Sequence, residues 1–140
     1  MGAYKKVLEY GINFVQDIAC LGTKATDNMS ADAEALALLS CSMAFTRATN
    51  GVNYWYCFFI DNDDVDIAKR ILQMNSVPVL KHSSMYNYYK QPVLRVTCSA
   101  LEKNPSAKAF VKKAMAIKYN ENINLNIARG RISVLKEKVK

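Results

Sequence analysis

Residues 54–60 read YWYCFFI, an unbroken run of aromatic and apolar side chains with no charge among them. In an extended chain successive side chains point to opposite faces, so a strand that is apolar at every position is covered on both. Tyr, Trp, Phe and Ile also favour the pleated conformation. The stretch therefore predicts a central strand, and the rest of the chain must supply a layer on each side of it.

Toward the C-terminus, Asp61-Asn62-Asp63-Asp64 breaks the run, and Val65, Ala68, Ile71 and Leu72 recur at helical spacing to predict a short helix over 64–74. Residues 76–83 (SVPVLKHS) read as a strand that Pro78 demotes to an edge. A tyrosine-rich connection (MYNYYKQ) follows, then a second apolar strand over 92–99 (PVLRVTCS). Asn104-Pro105 is a cap followed by proline at the first helical position. It opens a helix over 105–119 with Ala107, Phe110, Val111, Ala114 and Met115 inward and Lys108, Lys112 and Lys113 outward. Ile123, Leu125 and Ile127 alternate with Asn and predict a last strand, with Gly130 marking a turn before a basic tail. A helix there would turn Arg131 and Lys138 inward, which weighs against it.

Toward the N-terminus, residues 31–48 (ADAEALALLSCSMAFTRA) read as a helix of small residues capped by Ser30, with Asp32 and Glu34 suiting the dipole of its first turn. Tyr4, Val7, Leu8, Ile12, Val15, Ile18 and Ala19 form the apolar stripe of an amphipathic helix over 3–20. The predicted fold class is thus α+β: two N-terminal helices, then a ferredoxin-like βαββαβ sheet-and-helix layer. One domain is expected over 1–140, divided into a helical part (1–50), an α/β sandwich (51–128) and a basic tail (129–140).

At 51% hydrophobic and 22% charged, the chain has the make-up of a globular domain and excludes collagen-like and low-complexity classes. Cys20, Cys41, Cys57 and Cys98 lie far apart, and His82 is the single histidine, so the spacing of a zinc site is missing. Free thiols in apolar runs suit a reduced, cytoplasmic setting. No cofactor is expected. The longest charge-free stretches, Ala35–Thr46 and Ala48–Ile60, fall short of the ~20 apolar residues of a membrane span.

Charge is distributed unevenly. Residues 1–66 carry 4 basic and 9 acidic side chains, whereas residues 67–140 carry 15 basic and 3 acidic. Such a split points to a polyanion or an acidic protein surface as partner. The candidate contact residues are Lys103, Lys108, Lys112, Lys113, Lys118, Arg129 and Arg131, with Arg95 on the sheet and Tyr86, Tyr88 and Tyr89 in the connection. If Tyr54, Tyr56 and Phe58 share an open sheet face beside Arg95, bases can stack there. In element order this resembles an RNA-recognition motif, although the glycine-aromatic signature of its third strand is missing.

Asp61, Asp63 and Asp64, with Asp66 nearby, form the one carboxylate cluster, and paired acids at a strand end can hold Mg²⁺ for phosphoryl chemistry. The strand and turn resemble those of ferredoxin-like palms and CRISPR spacer-acquisition nucleases, which implies a divalent-metal nuclease or nucleotidyltransferase. Acids at a helix start serve the free N–H groups equally well. No phosphate-binding loop, nucleophile elbow or dinucleotide fingerprint is present. The reading is a non-enzymatic binding module acting on nucleic acid or on a nucleic-acid-processing protein, as inhibitor or accessory factor. The 14 Lys and 12 Asn suit a phage or mobile-element origin. A homodimer or larger homo-oligomer through the small-residue helix is a further expectation.

Overall fold

A computed structural model describes residues 27–47, 54–79 and 92–139. The described elements run, in chain order, α1 (Asp27–Leu39), β1 (Ser40–Arg47), β2 (Tyr54–Ile60), a 3-10 turn (Asn62–Asp64), α2 (Val65–Met74), β3 (Val93–Thr97), α3 (Cys98–Glu102), α4 (Pro105–Tyr119) and α5 (Leu125–Val139). The strands form one antiparallel sheet in the order β1-β2-β3. YWYCFFI is its central strand: Trp55 pairs with both Thr46 and Thr97, and Cys57 with both Ala44 and Arg95.

The ferredoxin-like prediction is overturned. That pattern needs four strands in the order βαββαβ, whereas the described residues form one three-stranded antiparallel sheet whose first strand, β1, comes from the predicted helix over 31–48. Three segments account for the difference. The predicted helix over 31–48 stops at Leu39, and residues 40–47 become a strand instead. Ser42, Ala44 and Thr46 alternate there with Met43 and Phe45, and a two-faced apolar strand needs a neighbour along each edge. Tertiary pairing overrides the modest helical preference of Ser, Cys, Ala and Met. The Ser40 hydroxyl donates to the Leu36 carbonyl at 2.8 Å just as the helix ends. The helix is already under way at Asp27, so Ser30 lies within it and is not its cap. The predicted helix over 3–20 lies outside the described residues.

The predicted edge strand over 76–83 is, as far as residue 79, the exit from α2. Ser76 takes a left-handed conformation (φ 61°). Its N–H donates to the Gln73 carbonyl at 3.0 Å, and the Val77 N–H to the Leu72 carbonyl at 2.9 Å. This is the Schellman arrangement that closes a helix C-terminus, with Val77 buried against the core.

The last predicted strand is also a helix. Asn124 accepts the Ile127 N–H on its side chain at 3.2 Å and the Ala128 N–H on its carbonyl at 2.9 Å, which starts α5. Ala128, Arg131, Ile132 and Leu135 then face the body at i, i+3, i+4 and i+7. Arg131 does turn inward, and a partner awaits it. Its Nε meets Asp32 Oδ1 of α1 at 2.5 Å, with side chains only 14% and 3% exposed. Asn75, at the end of α2, donates to the other Asp32 oxygen at 2.9 Å. Glu34 accepts the Asn124 N–H at 2.8 Å. Both acids therefore hold α5 and do not serve the dipole of their own helix.

One face of the sheet carries the main core: Met43, Phe45, Tyr56, Phe58, Ile60, Leu94 and Val96 pack with Leu36 of α1, Ile71 and Leu72 of α2, and Phe110, Val111 and Met115 of α4. On the other face Ala44, Cys57, Phe59 and Val93 form a smaller buried cluster with Trp55 against it. Among the described residues no helix is long and apolar enough to cross a membrane.

Replacing Asp32 by Ala leaves the Arg131 guanidinium buried and unpaired, and is expected to lower stability by about 3–5 kcal/mol. The joint replacement Asp32→Leu/Arg131→Met is expected to recover most of that in urea unfolding, so an additive double variant would contradict a buried pair. Ser76→Gly is expected to raise stability by ~0.4–1 kcal/mol, because glycine takes the left-handed conformation without steric cost.

Candidate functional site

Among the described residues, the cations of the basic half do not form one ridge. Within α4, Lys112 is 2% exposed and so lies inside the protein. Lys108 is bound to Glu102 of α3 at 2.5 Å. That hydrogen bond, together with the positive charge that makes it, lowers the Glu102 pKa. Lys118 donates to the Ser40 carbonyl of β1 at 2.7 Å, and burial there lowers its pKa. Arg131 is spent on Asp32. The predicted outward stripe of Lys108, Lys112 and Lys113 is thus corrected. Of the predicted contact cations, Lys103 and Arg129 are exposed and Lys113 is half-buried, with Lys136 exposed further along α5.

The aromatic sheet face is corrected as well. Tyr54, Tyr56 and Phe58 do share a face, as strand alternation demands, but it is the core face. Tyr56 is 1% and Phe58 0% exposed. Phe45 of β1 stacks on Tyr54, centroids 5.3 Å apart, and meets Tyr56 at 4.8 Å. Tyr56 and Phe58 are buried in the main core with residues of α1 and α4, so no base reaches them, and Tyr54 is half-buried against the same core. Arg95 pairs with Cys57 and therefore lies on the opposite face. Its guanidinium sits 4.1 Å from the centre of the Trp55 ring, a cation–π contact inside the sheet. Tyr86, Tyr88, Tyr89 and His82 lie outside the described residues.

The aspartates Asp61, Asp63 and Asp64 follow the end of β2 as predicted, yet they do not converge. The Asp61 carbonyl accepts the Asp64 N–H at 2.9 Å to form the 3-10 turn, and Asp63 and Asp64 occupy its first turn. Asp66 lies in the first turn of α2. The Asp61 carboxylate accepts the thiol proton of Cys41 at 3.3 Å. Cys41 stands where the β1–β2 register shifts between Ser40 and Ser42, a bulge that turns its side chain to the surface. Among the described residues no three side chains from His, Cys, Asp and Glu are grouped to hold a metal ion. Asp61, Asp63 and Asp64 therefore make no ligand set.

The thiols differ sharply. Burial pushes Cys57 up from 9.0 to about 12, opposed only by Arg95 beside it. Burial also pushes Cys98 up to about 11, with Glu102 adding to the rise and Lys108 and Lys112 opposing it. Both are inert at neutral pH, while Cys41 is open to solvent. Ala33, Leu36 and Ala37 of the small-residue helix, through which a homo-oligomer was expected, are fully buried within this chain.

Among the described residues, the far side of α5 faces outward, as does Met74 at the end of α2. Leu125, Ile127 and Val134 are 44%, 45% and 43% exposed, although the inward side of this helix already has its apolar contacts. Leu125, Arg129 and Lys136 fall on one line of the helix at i, i+4 and i+11, and Ile127 and Val134 on another at i and i+7. An added Cβ at Gly130 would meet nothing, so this surface is open between the two lines. Sequence reading missed it because it took 123–127 for a strand. The signal that reveals it is the inward set at 128, 131, 132 and 135. Compared with known proteins, the chain matches no family model, no curated protein and no solved structure.

With Cys20 replaced by Ser, the native protein at about pH 8 is expected to react quickly with a disulfide reagent at Cys41, and Cys41→Ser to abolish that phase. Cys57 holds its proton in the fold while the unfolded chain ionises near 9.0, so the folded state binds more protons and stability falls as pH rises from 9 toward about 12. The slope approaches ~1.4 kcal/mol per pH unit. Urea midpoints that stay level between pH 9 and 11 would contradict it.

Proposed function

We propose that this chain is a small binding module whose partner is a protein with an acidic surface, met through the outward side of α5. The observation that carries this reading is the line Leu125, Arg129 and Lys136: an apolar side chain 44% exposed beside two exposed cations, on a helix whose other side is already anchored. An apolar anchor set among cations on one line of a helix is the pattern by which helical surfaces engage a partner. Arginine with aliphatic anchors suits an interface core, and like-signed charge on its rim steers an acidic partner into place.

The geometry favours a protein over nucleic acid as the partner. A protein that follows a phosphate backbone presents many cations in a continuous track, since each neutralised phosphate releases counterions. Here Lys108, Lys112, Lys118 and Arg131 are committed within the fold. Among the described residues, the other predicted contact cations of the helices are spread over α3's exit, α4 and α5.

The test is fluorescence anisotropy with three labelled probes: an amphipathic peptide of Glu and Leu, duplex DNA and single-stranded RNA, from about 50 to 300 mM salt. The peptide is expected to bind with salt-dependent affinity and to lose about tenfold with Arg129→Glu/Lys136→Glu. Leu125→Ala should weaken binding without changing the salt slope. Binding of DNA or RNA that instead depends on Lys103 and Lys113 would transfer the function to nucleic acid. Absence of binding to all three at low salt would remove a basic recognition surface altogether.

A further inference from the structure

Gly130 occupies an exposed position within α5, with helix on both sides of it. Glycine is the weakest helix former after proline, because it gives up the most backbone freedom and brings no side chain to pack. Its structural use is a left-handed turn or a close approach of other groups to the backbone. Gly130 is helical, so the first use does not apply. The second has no source within the chain, since a Cβ built at Gly130 meets nothing within 4 Å. The room left by the missing side chain therefore opens to the outside.

Where two helices pack, a side chain of one enters the hole outlined by residues i, i+3, i+4 and i+7 of the other. Gly130 belongs to two such holes: Asn126, Arg129 and Ser133 complete the first, and Ile127, Arg131 and Val134 the second. The second is the deeper, because Arg131 as well as Gly130 leaves it unfilled. The Arg131 guanidinium is turned inward onto Asp32. Ile127 and Val134 are exposed at the two ends of that hole. Arg129 and Lys136 run along the opposite flank, both exposed. From Leu125 to Lys136 the surface is roughly 16 Å long, three turns of helix.

Resting on the reading of α5 as a binding surface, we propose that Gly130 is its specificity-determining residue. The partner element that it admits is an acidic amphipathic helix, which seats an apolar side chain against the Gly130 backbone between Ile127 and Val134. A helix repeats its side chains at the period of the holes it meets, whereas a strand presents one face at every second residue. The helix's carboxylates lie toward Arg129 and Lys136, the charge pattern complementary to those two cations. Glu137, exposed two turns on from Gly130 and on the same side, repels acids placed over the glycine. The partner's acids are thus held to the Arg129 flank and its apolar row to Gly130.

Gly130→Ala and Gly130→Met test this with no change in charge. Both are expected to raise the urea midpoint, since both residues favour helix over glycine, so weaker binding by them is not unfolding. In fluorescence anisotropy with the labelled Glu and Leu peptide, Gly130→Met is expected to bind about tenfold more weakly than wild type, the result of overfilling a packed hole. Gly130→Ala should move in the same direction by less. The salt dependence of both should match wild type, because Arg129 and Lys136 are intact. The same peptide with a central proline, which breaks its helix, is expected to bind wild type at least ~tenfold more weakly. Peptide binding that Arg129→Glu/Lys136→Glu weakens but Gly130→Met leaves unchanged would overturn the role of Gly130 and spare the α5 surface. Equal binding of the proline peptide would overturn a helical partner. Failure of wild type to bind the peptide at all would remove the α5 surface, and Gly130 with it.

Discussion

The buried carboxylate of Asp32 is the constraint on which the helical layer depends. Its two oxygens take Arg131 of α5 and Asn75 at the exit of α2, so one side chain on α1 joins three elements far apart in the chain. A charge in that position is stable only while both partners remain, because an unpaired buried ion carries its full desolvation cost. The attachment also fixes the rotation of α5. With Arg131 held inward, Ala128, Ile132 and Leu135 must follow it into the core, and Leu125, Ile127 and Val134 must face out. The recognition surface proposed for α5 is the other half of the same geometric fact.

The sheet is built from a different economy. β2 is apolar on both faces, so it is stabilised only between two strands and two layers, and the chain supplies β1 and β3 along its edges. On the core face aromatic rings pack across strands, with Phe45 against Tyr54 and Tyr56. On the other face Cys57, Phe59 and Val93 are buried with Arg95 laid over Trp55. A half-buried cation on this face is tolerated because a π face replaces part of its hydration.

The net charge of +7 is therefore a poor guide to the surface. Four cations of the C-terminal half are held within the fold: Arg131 anchors α5, Lys118 donates to the Ser40 carbonyl of β1, Lys108 ties α4 to Glu102, and Lys112 is interior. Counting charges along a sequence treats all of them as solvated. The aspartates after β2 are similar, since their first use is to turn the chain into α2 and to accept the Cys41 thiol.

Local signals were legible wherever they and the tertiary contacts agreed. YWYCFFI is the central strand, VLRVT is a strand beside it, and the helices at 65–74 and 105–119 begin and end close to their predicted limits, with Asn104 capping the second. Those segments carry their own evidence: alternation, helical spacing and cap chemistry act within a few residues. Partner choice does not. Residues 40–47 became a strand because β2 needed an edge, and residues 125–139 became a helix because Asp32 lay waiting for Arg131. The sequence by itself determined where apolar faces and helix caps fall. Only the tertiary structure decided which inward charge finds a partner and which helix end meets β1, because both depend on groups 76 to 99 residues apart meeting in space.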